Sequence, residues 1–305
     1  MAYSNWVDNT DNTFEELKRK FLSNRELIKD PVTNDDLLNQ VDLAFQENQT
    51  FELKGSEVTY NYFTYQYEYL KKRGMTSSDK DKRVGLYTTN IILFNYQQKN
   101  YYIVDKGYNN TTLGNLRTLC GYESKLEISE KRISGIKTDL FIWMIHHLLD
   151  NPDCYLNDDN STMIESVIGF KGSTSDKLAE ISGSGEKIMK MLTTLLFLFE
   201  NQEISKVEAT IIRNDETFKL TLGEKSLVEI DFNSFEGDDF FEIKEVIKSQ
   251  VAIKTFMDVI PNIISIYSNE LDTKKWSPRK ETKFFKDIGR ELSKKINEKL
   301  RNKNQ

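Results

Sequence analysis

The stretch VEATIIRNDETFKLTLGEKSLVEIDF, Val207–Phe232, reads as three consecutive β-strands. Runs rich in β-branched and aromatic residues (Val207–Arg213, Thr217–Leu222 and Leu227–Phe232) are separated by Asn214-Asp215 and Gly223-Glu224, residue types that tolerate the backbone of tight turns. Working outward, Ile164–Lys171 and Lys177–Ser182 read as two further strands. Between them and the triplet lies Glu186–Glu200, a strongly apolar helical segment whose Leu192, Leu195, Leu196 and Phe199 are expected to pack on the sheet. The sum is ββαβββ, one helix on a mostly antiparallel sheet. That segregation predicts an α+β fold rather than a doubly wound α/β fold.

Upstream, the sequence predicts a helical N-terminal segment. Phe14, Leu17, Phe21 and Leu22 fall at helical spacing, and a second helix is expected from Asn34, carrying Leu37, Leu38, Val41, Leu43 and Phe45. An aromatic-rich hairpin region follows. Phe51–Tyr69 alternates, with Tyr60 and Tyr62 on one face and Asn61, Phe63 and Tyr65 on the other. Lys71–Arg83 reads as a loop, and Asn90–Tyr96 with Tyr101–Asp105 as a hairpin closed by Gln97–Asn100. A short helix through Leu113, Leu116 and Leu119 ends near Gly121. Asp139–Asp150 is apolar on nearly every face and reads as a buried helix that stops at Asn151-Pro152. Beyond the sheet, a long helix from about Phe240 to Val259 should stop at Pro261, and a final helix begins after Ser277-Pro278. These readings divide the chain into 1–152, an α+β domain; 161–268, a sheet with a helix; and 276–305, a basic amphipathic helix.

Composition narrows the class. With 32 Phe and Tyr among 305 residues the chain is too aromatic for a disordered polymer. Its most apolar stretches, Leu140–Leu149 and Met189–Phe199, are about ten residues each, half of what a bilayer demands. With no basic-then-apolar N-terminus either, the expected setting is cytoplasmic, without membrane attachment. Cys120 and Cys154 show no metal-ligand spacing and read as two reduced thiols, and His146 and His147 as packed structural histidines. Heavy use of Asn, Lys, Ile and Tyr marks an AT-rich coding sequence, which points to a low-GC bacterium or to a phage or plasmid gene. Phage defence or a mobile element is the corresponding expected context.

Four features carry candidate chemistry. Ser182, Gly183, Ser184, Gly185 and Lys187 form a Gly-rich strand-to-helix turn whose backbone amides suit an anion, although Ile188 stands where a Walker A loop has Ser or Thr. Glu52-Leu53-Lys54, with Asp42 upstream, resembles the carboxylates and lysine with which PD-(D/E)xK nucleases hold Mg²⁺ and stabilise the hydrolytic intermediate. The tyrosines of 60–69, followed by Lys71, Lys72 and Arg73, have the residue types of a base-stacking face. From Leu271 onward twelve Lys/Arg face five Asp/Glu, about +7, whereas the chain as a whole carries −6. In that tail Phe285, Ile288, Leu292, Ile296 and Leu300 make a narrow apolar stripe, flanked by Lys283, Lys286, Arg290 and Lys294. The leading expectation is a binding protein that works with a protein partner or as a homo-oligomer, or with nucleic acid, and that needs no cofactor. The alternative is an Mg²⁺-dependent nuclease using Asp42, Glu52 and Lys54.

Overall fold

A computed structural model describes residues 1–23, 28–124, 126–150, 154–158, 160–173, 180–184, 204–237 and 243–303. In chain order the described elements are β1 (Ala2–Asp8), α1 (Phe14–Ser23), β2 (Asn39–Leu43), β3 (Gln49–Leu53), β4 (Ser56–Leu70), α2 (Lys80–Arg83), β5 (Val84–Tyr96), β6 (Lys99–Val104), α3 (Asn110–Cys120), β7 (Ile128–Glu130), α4 (Thr138–Asp150), β8 (Thr162–Ser173), β9 (Glu180–Ser184), β10 (Ile204–Arg213), β11 (Glu216–Gly223), β12 (Leu227–Ile230), α5 (Lys244–Lys254), α6 (Ile260–Asp272) and α7 (Pro278–Lys303). Helices and antiparallel strands together make the fold α+β. The chain divides into two compact units: Met1–Arg132 with Glu242–Ile253, and Ile133–Phe241 with Lys254–Gln305.

In the first unit the strands run β2-β4-β5-β6-β1, with β3 also on β4 and β7 also on β1, every pairing antiparallel. Two hairpins close through two residues that both hold positive φ, Lys54-Gly55 and Gln97-Gln98. This is the turn whose twist matches that of the strands it joins. One face of the sheet, including Phe63, Tyr65, Ile91, Leu93 and Tyr102, packs on Leu17 and Phe21 of α1 and Leu116 and Leu119 of α3. On the opposite face the Tyr60 phenol accepts a hydrogen bond from Gln250 of α5 at 3.3 Å. Helix α3 starts at the Asn109 cap, whose side chain accepts from the Thr112 amide, and ends on Gly121 in the left-handed region.

Two expectations for this unit are corrected. The N-terminus is not purely helical, because β1 precedes α1 and is buried from Ser4 to Asp8. The helix expected from Asn34 is instead an extended segment leading into β2. Leu37, Val41 and Phe45 are the buried residues and are spaced by four, which imitates a helix. The same segment also offers Val41, Leu43 and Phe45 at spacing two, and pairing with β4 (Val41 opposite Tyr65) decides between the periods.

A buried ion pair pins two loops of the first unit. Arg83 sets Nε and Nη2 on the Asp30 carboxylate at 2.7–2.9 Å, both side chains 2% exposed, and Nη1 donates to the carbonyls of Ser77 and Ser78. The Arg83 hydrogen bonds hold the Asp30 carboxyl down from 3.8 to about 2. A depressed carboxyl contributes stability that is full above its unfolded pKa and lost as pH falls through the folded value. The Tm gap between the natural chain and Asp30→Asn should therefore be constant near neutral pH and shrink between 3.8 and about 2. Melting curves across that range check this, and a gap unchanged at about pH 2 would refute it.

In the second unit the strands run β12-β11-β10-β8-β9, again all antiparallel. Asn214 and Asp215 both hold positive φ in the β10–β11 turn. The expected helix Glu186–Glu200, with Leu192, Leu195, Leu196 and Phe199, lies outside the described residues, as do residues 177–179 of the expected strand and Asn151-Pro152. The helix seen against β8 and β10 is α4. Leu140–Ile145 are all buried there, which accounts for a sequence apolar on every side.

The long helix expected to stop at Pro261 does not stop. After α5 a single π-helical turn, Thr255–Val259, carries the chain directly into α6. Proline lacks an N–H and its ring collides with the carbonyl four residues back. The wider turn, closed by the Ile260 amide on the Thr255 carbonyl, places Pro261 in the first turn of the next helix, where its missing donor costs little.

Candidate interaction surface

Helix α7 begins at Pro278 after Ser277, whose hydroxyl accepts from the Lys280 amide. Its apolar stripe divides along its length. Phe284, Ile288 and Leu292 are 4–8% exposed, whereas Ile296 is 42% and Leu300 55% exposed. Phe284, and not Phe285, heads the buried line; Phe285 is half-buried, its ring 5.6 Å from that of Phe284. The buried half packs against α4, where the His146 ring lies 5.2 Å from Phe284 and 4.6 Å from Trp276. Burial lowers the His146 pKa, with Asp150 opposing the shift. His147 sits 3.2 Å from Glu270, which also accepts from the Trp143 indole at 2.8 Å. Both histidines thus serve the packing of α4 against its neighbours.

Lys283, Lys286, Arg290 and Lys294 are exposed along the helix; Arg290 pairs with Asp287, and Lys295 with Glu291. Beyond Leu292 the sequence adds five basic residues against one acidic, Glu298. Those last eleven residues of α7 extend about 16 Å at the helical rise. They carry apolar side chains on the line that is buried nearer the helix start.

The other candidates fare differently. Asp42 lies in β2, not in a helix, and faces Thr64 of β4, while Glu52 in β3 faces Glu57. Positions 57 and 64 are seven apart along β4, so the two carboxylates sit about 23 Å apart and on opposite faces of the sheet. One metal ion cannot bridge that distance. Lys54 occupies the β3–β4 turn at φ 52°. Among the described residues no group of three or more His, Cys, Asp and Glu is placed to hold a metal.

Ser182, Gly183 and Ser184 belong to β9, paired with Lys171, Phe170 and Gly169 of β8, and Gly185 and Lys187 lie outside the described residues. The aromatic row of β4 is mostly interior: Tyr60, Tyr62, Phe63 and Tyr65 are at most 6% exposed, leaving Tyr69 the open one. Cys120 is buried and Cys154 exposed, both free thiols. No helix among the described residues is long and apolar enough to cross a membrane.

Compared with protein-family models and with curated proteins, the chain matches none.

Proposed function

We propose that this chain is an interaction protein that holds an acidic protein partner through the distal half of α7. One observation carries the reading: a single apolar stripe is buried from Phe284 to Leu292 and continues exposed through Ile296 and Leu300. Two large apolar side chains left in water on a helix end that carries five basic residues to one acidic suit a partner offering an apolar groove edged with carboxylates. Apolar contact supplies the binding free energy, and the charges set encounter rate and orientation.

The test compares the full chain with the double variant Ile296→Asp/Leu300→Asp. Both positions are exposed, so the fold should hold, with stability changed by less than about 0.5 kcal/mol per site. Cross-linking through Lys294 and Lys295 in the source cells should capture a protein partner with the natural chain and lose it with the variant. Nucleic-acid titrations over a salt series run alongside. Binding that survives the double variant and falls steeply with salt would replace this reading with a nucleic-acid one. A variant indistinguishable in every assay would reduce α7 to a structural cap.

A further inference from the structure

The first unit contains a cavity of about 150 Å³ between β4, α3 and the segment that leads into β2. Its aromatic wall is built by β4. Residues 65 and 67 share one face of that strand, and their rings stand 5.1 Å apart, tilted by 33°. Tyr67 also stacks on Tyr87 across the β4–β5 pair at 5.0 Å, which holds the wall in place. The aliphatic side comes from Leu37 and Leu38 ahead of β2, and α3 contributes Asn115 and Thr118.

The polar groups of this cavity are unequally satisfied. Glu68 is fully engaged: Lys80 sits 2.9 Å from Oε1, and the Leu38 amide donates to Oε2 at 3.1 Å. Its charge is therefore neutralised within the protein. Asn115 is different. Its side-chain amide lies beside the Tyr67 and Tyr87 phenols, close enough to favour their ionised forms, but meets neither at full hydrogen-bond geometry. A buried donor without an acceptor is costly, and few are left so in folded proteins. A better-placed acceptor than the two phenols is one that an occupant of the cavity would bring.

We propose that this cavity binds a neutral, planar, single-ring ligand that presents a hydrogen-bond acceptor to the Asn115 amide, the chemistry shared by aryl amides and pyrimidines. The size argues for one ring, since a cavity of about 150 Å³ accommodates a benzene-sized molecule. Tyr65 and Tyr67 argue for a flat one. The internal Glu68–Lys80 pair argues for a neutral one, because an ionic ligand would meet no uncompensated charge. This site is independent of α7 and of whatever that helix holds.

Benzamide and uracil are the probes, with toluene as the ring lacking an acceptor and benzoate as the charged counterpart. Binding to the full chain is followed by chemical-shift perturbation. For ligands this small, Kd on the order of 1 mM is expected for benzamide or uracil. Asn115→Leu, at a half-buried helix position, should weaken both by about tenfold and leave toluene unchanged or improved. Thr118→Trp, from an exposed helix position that lines the cavity, should block all probes while the spectrum shows an intact fold. Benzoate should bind at least about tenfold more weakly than benzamide. The proposal is overturned if neither benzamide nor uracil binds the folded chain at several times about 1 mM, or if their binding is indifferent to both substitutions.

Discussion

Phe63→Ala should destabilise the first unit by about 3–5 kcal/mol, the range for a large aromatic truncated in a packed core. Phe63 is fully buried, stands near the middle of β4 between β2 and β5, and meets Phe21 of α1 edge-on at 5.1 Å. The substitution removes a transfer contribution, an aromatic pair and the contact that seats α1 on the sheet. None can be regained by local collapse, because β4 is paired on both sides. In a melt the transition of this unit should fall by roughly 6–20 °C. Leu86→Ser is the internal control: Leu86 is 60% exposed on neighbouring β5 and should shift stability by no more than about 0.5 kcal/mol. If Phe63→Ala and Leu86→Ser behave alike, the packing described for this sheet face is wrong.

Arg213→Met should cost the second unit about 3–5 kcal/mol, by breaking a buried ion pair. Arg213, at the end of β10, places Nε 3.0 Å and Nη2 3.2 Å from the two oxygens of Asp258 in the π-helical turn; its side chain is 12% exposed and that of Asp258 5%. Its Nη1 also reaches the hydroxyls of Ser161 and Thr162. The pair ties the β10–β11 turn to the irregular turn between α5 and α6. Because the loss comes mainly from taking the guanidinium away from the buried Asp258 carboxylate, Arg213→Met/Asp258→Leu should recover most of it. Urea denaturation of the two single variants and the double completes the cycle. Additive losses would mean that the groups do not act as a pair.

Much of the strand pattern was legible because turn chemistry is local. Asn214-Asp215 tolerates positive φ, so the β10–β11 hairpin could be read from a few neighbouring residues. Gln97-Gln98 carries no such signal, and that hairpin was legible from the apolar runs beside it. Helix α3 and α4 were equally plain, one from a capped stripe, the other from an apolar run too long for a strand.

Strand β1 was not legible. AYSNWVD looks polar, yet Ser4, Asn5 and Asp8 are at most 2% exposed. Their satisfaction is long-range. Asp8 accepts from the Tyr102 and Tyr122 phenols at 2.5 and 2.8 Å and from the Thr10 amide at 2.9 Å, and Tyr108 receives the Asn5 amide at 3.1 Å. A buried carboxylate supported by tyrosines about a hundred residues away leaves no mark on its own neighbourhood in the sequence.

The candidate sites divide the same way. The stripe and charge of α7 were written in the sequence, because helical periodicity and charge are properties of consecutive residues. Which part of that stripe is covered was not, nor that Phe284 rather than Phe285 is the residue turned inward. That depends on α4, some 140 residues earlier, presenting His146 to Phe284 near the start of α7. The carboxylates Asp42 and Glu52, ten residues apart in sequence, were separated by register: β2 and β3 pair with different segments of one strand. The cavity of the first unit gave no sequence signal, since β4 and α3 contribute its tyrosines and Asn115 from positions about 50 residues apart. Local backbone preference and periodicity thus determined the elements and the α7 stripe, and only tertiary pairing decided which polar groups are buried, which apolar ones remain in water and which side chains meet.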